Sequence, residues 1–181
     1  GPALLGGDQA NEQDGEACVK KLNGMFAFAI WDKEAQSLFM ARDRIGKKPL
    51  YYYDDGQQFI FGSEIKAILA HPAVKKDINP EAVYDFFAYQ YIPDPKTIFK
   101  NIHKLNPGHT LTLSENSQAI KPYWDLSFEN TQKRSEAEIA EELLHKIDES
   151  TKLRMISDVP LGAFLSGGVD SSGVVALMAK N

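Results

Sequence analysis

The sequence has very little cysteine. Cys18 is the single cysteine among 181 residues, so an internal disulfide is excluded, and so is a zinc site made of several cysteines. A reducing compartment fits this composition, and we expect the cytoplasm. The residues around Cys18 predict a short helix near the first strand, with Cys18 as a small core residue.

A long apolar run, an excess of basic residues and a metal motif are also missing. No segment approaches the roughly 18 consecutive apolar residues that a membrane span needs. The 20 Lys and Arg residues are outnumbered by 25 Asp and Glu, and neither half of the chain is basic, which argues against nucleic-acid and membrane partners. The four histidines show no metal-ligand spacing, so we predict no metal held by protein ligands.

The start of the chain lacks an initiator Met and the basic and apolar segments of a secretory signal. What is present is ordinary: 43% apolar and 25% charged residues, close to the globular average. At roughly 150 residues per domain, the length predicts one domain and part of another. Residues 125–134 are polar and without pattern, and they are the predicted linker between regions 1–124 and 135–181.

The first region predicts antiparallel strands. The apolar run at residues 25–31 is typical of a strand that is buried on both faces. Further strands are expected after short polar turns, which predicts one antiparallel meander that continues through residues 37–43, 50–53 and 58–62. Short strands are also expected within residues 97–114, around a Pro-Gly turn.

Two short helices are expected between these strands. Ser63 is predicted to cap the first helix. Asn79 is predicted to cap the second, with Pro80 at its first position. The aromatic pair Phe86 and Phe87 and the tyrosines at 51–53 are interpreted as core residues rather than a stacking platform.

The basic turn at residues 42–48 contains Arg42, Asp43 and Arg44. Because neighbouring side chains of an extended segment alternate between faces, the two arginines should lie opposite the aspartate. We interpret this turn as a structural ion pair or an exposed turn rather than a ligand site.

The second region predicts a helix, a buried strand, a glycine-rich loop and another helix. Ser135 and Glu138 match a capping box, and the helix that follows should end near Met155. The apolar segment at residues 159–165 predicts a buried strand, and residues 173–180 predict an apolar helix. The loop at residues 166–172 then lies at the carboxyl end of a strand, where open parallel sheets bind ligands.

The loop has the composition of a phosphate site. Its two glycines let backbone N–H groups approach an anion, the next helix adds a positive N-terminus, and three serines add hydroxyl donors. The Walker A pattern is absent because no lysine follows the glycines, and so is GxGxxG. The alternative is a Ser/Gly connector that Asp170 or Ser171 caps.

The loop sequence, Ser166-Gly167-Gly168-Val169-Asp170-Ser171-Ser172, resembles SGG[VL]DSS, the pyrophosphate-loop motif of ATP pyrophosphatases. Residues 159–165 resemble the strand that precedes this motif in glutamine-dependent asparagine synthetases. Residues 22–32, LNGMFAFAIWD, resemble a segment of the same family. Further matches follow in the family's order, so the resemblance covers about residues 20–180; they are residues 41–52, 61–67, 91–93, 104–109 and 123–124.

The resemblance implies two domains. Residues 1–124 would be the C-terminal part of a type 2 glutamine amidotransferase domain, an α+β N-terminal-nucleophile-type sandwich with antiparallel sheets. Residues 135–181 would be the start of an asparagine synthase ATP-pyrophosphatase domain, which has an α/β adenine-nucleotide alpha-hydrolase-like (PP-loop) fold.

The resemblance also implies a reaction. Glutamine would be hydrolysed to release ammonia, and aspartate would react with ATP to form β-aspartyl-AMP and pyrophosphate before ammonia attacks. ATP would come with Mg²⁺, the other small-molecule partners would be aspartate and glutamine, and a homodimer is possible. The residues implied to bind ATP and pyrophosphate are Leu165, Ser166, Gly167, Gly168, Val169, Asp170, Ser171 and Ser172.

One departure from the family concerns the glutaminase nucleophile, a cysteine at the mature N-terminus whose α-amino group can act as base. The sequence begins with Gly1, and Cys18 is internal. We therefore expect no catalytic residue here, and we expect a fragment that alone catalyses neither half-reaction. The alternatives are a β-lactam synthetase-like or polysaccharide-biosynthesis amidotransferase of the same family, or a non-catalytic homologue.

Overall fold

A computed structural model describes residues 14–129 and 133–181 of the chain. The chain divides into two compact units after Leu126, a position inside the segment predicted as a linker. Across the described ranges, no helix combines the length and the apolar character that crossing a membrane requires.

The first unit is α+β, as the sequence predicted. Its helices within the described residues are a 3-10 helix (Gly15–Lys20), α1 (Ile65–Leu69) and α2 (Pro80–Tyr89). Its strands are β1 (Ala27–Asp32), β2 (Ser37–Arg42), β3 (Tyr51–Asp54), β4 (Phe59–Gly62), β5 (Ile102–Lys104), β6 (His109–Ser114) and β7 (Ser117–Pro122).

The strands form two antiparallel sheets, as the family resemblance implied, and not the single meander that the local strand pattern predicted. One sheet has the order β1-β2-β6-β7 and the other has the order β4-β3-β5. The hairpins β1-β2 and β3-β4 were predicted correctly, but β2 pairs with β6 through Leu38–Leu113 and Ala41–Thr110 instead of with β3. The prediction was wrong because a local sequence pattern does not show pairing between strands that are far apart in the chain.

The core explains why these sheets stack. Alternate side chains of β2 point to opposite faces, and both faces are covered. Leu38 and Met40 pack with Tyr52 of the second sheet and with Leu50, which directly precedes β3. Phe39 packs beside the 3-10 helix. A third cluster joins the other face of the second sheet to α1 through Tyr53 and Ile68. The layers are therefore 3-10 helix, sheet, sheet and helix.

The apolar run at residues 25–31 was predicted to be buried on both faces, and this prediction was wrong. It enters β1, which is an edge strand with half-buried residues and an exposed end, where Trp31 is 52% exposed. The most buried strand of this sheet is β2, in which every residue after Ser37 is buried and whose composition is more mixed. Cys18 is fully buried beside β1 and β2, as predicted.

Asp43 organises the turn between the two sheets. Its carboxylate accepts hydrogen bonds from the backbone N–H groups of Phe26, Ile45, Lys47 and Lys48. Burial raises the pKa of this carboxyl, but these four N–H donors outweigh burial, so the pKa lies below its ordinary value. A buried carboxylate thus replaces regular backbone pairing where the chain passes between the sheets.

Arg42 is nearly buried beside this turn. Its guanidinium donates to the carbonyl oxygens of Gly46, Lys48 and Leu105, and it forms an ion pair with Asp94 at 3.2 Å. All of these partners belong to the first unit. The interpretation of the turn as structural rather than as a ligand site is confirmed at Arg42.

Gly108 links the end of the first unit to the turn at Asp43 through backbone hydrogen bonds. Its N–H donates to the Asp43 carbonyl, and its own carbonyl accepts from the N–H groups of Tyr123 and Trp124. Gly108 has a φ of +66°, and a Cβ there would lie 2.5 Å from the Trp124 carbonyl oxygen, so only glycine fits. The Tyr123 hydroxyl also donates to the Arg42 carbonyl at 2.8 Å.

Helix α2 confirms the predicted start and corrects the predicted burial. Asn79 caps it by accepting a hydrogen bond from the Glu81 N–H, with Pro80 at the first position. Phe86 and Phe87 are 50% and 80% exposed, so they are not core residues as predicted. Helix α1, in turn, begins after Glu64 without a side-chain cap, so the predicted Ser63 cap was wrong.

The second unit contains two helices among its described residues, α3 (Glu136–Arg154) and α4 (Val169–Lys180). The predicted capping box is confirmed, because Ser135 accepts from the Glu138 N–H and the Glu138 carboxylate accepts from the Ser135 N–H. The predicted buried strand at residues 159–165 is not formed, and every residue of this segment is exposed. A strand needs a neighbouring strand, and the described part of the second unit contains none.

Candidate functional site

The candidate site is the segment from Leu165 to Ser172, where an extended stretch turns into helix α4. The structure begins this helix at Val169, with Gly168 as N-cap, whereas the sequence predicted the helix to begin at Gly173. Val169, Asp170, Ser171 and Ser172 are therefore the first turn of the helix rather than a loop. The glycines and Ser166 alone make up the loop.

The helix start leaves backbone donors facing outward. The N-cap residue is Gly168, and no side-chain hydrogen bond caps the helix there. Asp170 and Ser171 lie inside the helix, so neither plays the capping role that the connector alternative required. The first N–H groups of a helix lack partners within the helix, and a twelve-residue helix adds a positive dipole end. This end of α4 therefore has the electrostatics of an anion site.

Hydroxyl groups are arranged across the loop. The Ser166 and Ser171 Oγ atoms lie 2.9 Å apart, and the Ser171 hydroxyl donates to the Gly168 carbonyl at 3.0 Å. The Ser172 N–H donates to the same carbonyl. Gly167 has a φ of +80°, which lets the chain turn so that Ser166 faces Ser171. The contacts bring four predicted site residues together, namely Ser166, Gly168, Ser171 and Ser172.

The remaining predicted residues surround these contacts. Leu165 and Val169 are 61% and 88% exposed, and Asp170 and Ser172 are also exposed. The site is thus an open surface rather than a closed cavity. Elsewhere among the described residues, the second unit has an open cavity of about 370 Å³, and the first has one of about 410 Å³ near Met25 and Lys48.

The charge around the loop limits what it can hold. Asp170 is the acidic residue of the first helical turn, and the basic residue of α4 is Lys180 in its last turn. One carboxylate is too few for a cage of protein ligands around a metal. The described residues contain no group of three His, Cys, Asp or Glu side chains that could hold a metal ion. Magnesium bound to phosphate oxygens fits this donor set better.

Comparison with known proteins identifies the family. Residues 9–124 match the family model described as "Glutamine amidotransferase domain". The chain belongs to the glutamine amidotransferase domain family. Residues 142–181 match a second model, described as "Asparagine synthase". The resemblance that the sequence motifs indicated is therefore confirmed over both units.

Similar curated relatives are named glutamine-hydrolysing asparagine synthetases. A putative glutamine-hydrolysing asparagine synthetase 2 from Methanocaldococcus jannaschii is 45% identical over 90% of this chain and 32% of its own length. Glutamine-hydrolysing asparagine synthetase 3 from Bacillus subtilis is 41% identical over 91% of this chain and 27% of its own. The chain thus spans about a third or less of the length of these relatives.

The sequence identified the residues of the loop but missed the first turn of α4. A signal for the earlier start was present, because Gly168 is an acceptable N-cap residue and Asp170 favours the first turn. The Gly-Gly pair favoured a longer loop instead. The Ser166–Ser171 contact was not predicted, since it depends on the helical position of Ser171.

Proposed function

We propose that this chain is part of an ATP-dependent, glutamine-hydrolysing asparagine synthetase. In the full-length protein, aspartate, ATP and glutamine would give asparagine, AMP, pyrophosphate and glutamate through β-aspartyl-AMP. The observation that carries this proposal is the uncapped N-terminus of α4 beside Ser166 and Ser171, in a unit that matches the asparagine synthase model. The PP-loop fold of this unit belongs to the same proposal.

The loop residues would act on the leaving group. A carboxylate is a poor electrophile, and adenylation gives it a leaving group as pyrophosphate departs. The backbone N–H groups at the start of α4 and the hydroxyl groups of Ser166, Ser171 and Ser172 would bind the charge that develops on this pyrophosphate. The Leu165 backbone would lie beside the adenosine. Magnesium, bound through phosphate oxygens, would neutralise part of the charge.

The first unit would form part of the glutaminase. Its described residues supply the stacked antiparallel sheets of that domain. Cys18 is fully buried inside the chain and has no α-amino group of its own, so it is not the nucleophile of this proposal. We propose that the 181-residue chain alone catalyses neither half-reaction. A cytoplasmic location, a possible homodimer, and the absence of nucleic-acid and membrane partners also remain proposals.

The test uses a full-length protein that contains these residues. With ATP, Mg²⁺, aspartate and either glutamine or ammonia, the products should be asparagine, AMP and pyrophosphate. ADP and phosphate as products would refute adenylation. Asp170→Ala should lower ATP-dependent synthesis and leave glutamine hydrolysis unchanged, whereas equal loss of both would indicate a folding defect instead of a role at the site.

A second acceptor class has its own support. Two relatives are named amidases: amidase chry2 from Gibberella zeae, which is 35% identical over 91% of this chain, and amidase chyE from Penicillium rubens, which is 36% identical. As a second candidate, we propose that the same loop activates a carboxylate other than aspartate, as in the β-lactam synthetase-like and polysaccharide-biosynthesis alternatives. Pyrophosphate release, measured with each of a panel of carboxylic acids, would identify the acceptor. If no acid caused pyrophosphate release, a non-catalytic homologue would be favoured.

A further inference from the structure

An exposed three-residue segment at the start of the first sheet lies between two residues, Leu22 and Phe26, that are held by hydrogen bonds. On one side, the Leu22 carbonyl accepts a hydrogen bond from the Arg44 guanidinium at 2.6 Å. On the other side, Phe26 is joined to Asp43 through both its N–H and its carbonyl. Between them, residues 23–25 (Asn, Gly and Met) are all exposed.

We propose that Asn23 is a site of spontaneous deamidation. The Gly24 backbone nitrogen would attack the Asn23 side-chain carbonyl carbon, which forms an N–C bond and breaks the bond to the amide nitrogen. Ammonia leaves, carrying the proton that Gly24 loses, and a succinimide ring remains. Water then opens the ring at either carbonyl, which gives aspartate or isoaspartate. No reactant other than water is needed.

The surroundings of Gly24 favour this attack. Glycine has no Cβ to shield its nitrogen, and a Cβ built there would meet no atom within 4 Å. Among the described residues, the Gly24 N–H donates to no protein acceptor. The attacking nitrogen is therefore accessible from solvent and is not held by secondary structure.

The other asparagines offer a contrast within the same chain. Asn79 and Asn106 precede proline, whose nitrogen carries no proton to lose. Asn116 lies in the turn between β6 and β7 and precedes Ser117, which has a side chain and begins a strand. Asn23 is the one asparagine in the sequence that precedes glycine, and Asn116 is its matched comparison.

The isoaspartyl product would alter the entry into β1. Isoaspartate adds a methylene group to the backbone, and the segment at residues 23–25 has fixed neighbours on both sides. We therefore expect the added length to displace either the Arg44 contact at Leu22 or the Asp43 contact at Phe26. The aspartyl product adds a negative charge and leaves the backbone length unchanged.

The experiment incubates the folded 181-residue chain at mildly alkaline pH and follows its peptides by mass spectrometry. The peptide with Asn23 should gain the mass of an amide-to-acid change, with both isomers present, several-fold faster than the peptide with Asn116, because the glycine that follows Asn23 leaves the attacking nitrogen unshielded. Asn23→Gln should abolish the gain at that position. A faster change at Asn116, or conversion at Asn23 only after unfolding, would overturn the proposal.

A second measurement separates charge from backbone length. Unfolding of the incubated protein, enriched in isoaspartate, should begin at lower urea than unfolding of Asn23→Asp, which carries the charge alone. Equal urea midpoints for the two proteins would contradict the proposed displacement of the contacts at Leu22 or Phe26. The Asn23→Gln variant, incubated in parallel, controls for damage at other residues.

Discussion

The two units bury their apolar residues very differently. In the first unit, side chains such as Met40, Tyr53 and Leu111 are completely buried between layers. In the second unit, Thr151 is the only buried residue among those described. Apolar residues at four-residue spacing on α3, such as Ile139 and Leu143, are about half exposed.

This difference shows that secondary structure and core formation have separate causes. The helices of the second unit are specified by local features, above all the capping box at Ser135 and Glu138. The sheets of the first unit depend on contacts between distant residues, with Asp43 at their junction. Local signals specify where a helix begins and ends, but most of a helix's stability in a protein comes from packing. Four predictions test this contrast.

The largest expected effect is in Asp43→Ala. Four backbone N–H groups would lose their acceptor in a buried turn, and we expect the free energy of unfolding of the first unit to fall by on the order of 3–5 kcal/mol. Urea titration followed by tryptophan fluorescence measures this unit specifically, because Trp31 and Trp124 both lie in it. Asp170→Ala is the matched control and should shift this transition by under about 0.5 kcal/mol. Similar losses in the two variants would contradict the contrast.

A pair of leucine substitutions compares the units directly. Leu111 is fully buried, and Leu143 is 56% exposed. Leu111→Ala should cost about 3 kcal/mol because it leaves a cavity, whereas Leu143→Ala should cost under about 0.5 kcal/mol. Urea unfolding followed by circular dichroism measures both variants. An equal or larger cost at Leu143 would show that the second unit has a core of its own.

A smaller effect is expected at the start of α3. Ser135→Ala removes the acceptor of the Glu138 N–H and should destabilise the helix by about 1 kcal/mol. Helix content measured by circular dichroism should fall, while the tryptophan signal of the first unit stays unchanged. Ser150→Ala, an exposed serine within the same helix, should not reduce helix content. A loss in both variants would indicate that the cap is not the cause.

The smallest expected effect is the acid dependence of the first unit. The pKa of Asp43 is lower in the folded state than the ordinary value. Its contribution to the free energy of unfolding is therefore fully present above that ordinary pKa. It is lost as the pH falls through the folded-state pKa. The free energy of unfolding, measured at a series of acid pH values, should fall less steeply in Asp43→Asn than in the unaltered chain. Identical slopes would argue against this role of Asp43.

Much of the local structure could be predicted from sequence. The caps at Asn79 and Ser135 depend on residues within one turn of each other, and both predictions were confirmed. The hairpins β1-β2 and β3-β4 were also expected, because a short turn joins strands that follow each other. A loop at residues 166–172 was expected from its glycines, and the structure keeps residues 166–168 of it outside the helix. Its ATP-binding role stays a prediction.

The parts that failed depend on partners distant in sequence. The pairing of β2 with β6 was not predicted, because nothing near residue 42 indicates it, and the two sheets were expected from the family resemblance alone. The segment at 159–165 has the composition of a buried strand, but no described strand lies beside it. Phe86 and Phe87 are of a residue type common in cores, but residue type does not show whether another layer covers them.

The contacts of Gly108 have a mechanical consequence. Tyr123 and Trp124, the last residues before the linker, are held by the Gly108 carbonyl, and Gly108 is held by the Asp43 carbonyl. Tension applied from residue 125 onward would therefore be carried to the turn between the two sheets. The first unit should resist such a pull as a whole, and strand β7 should peel away only after these backbone bonds have broken.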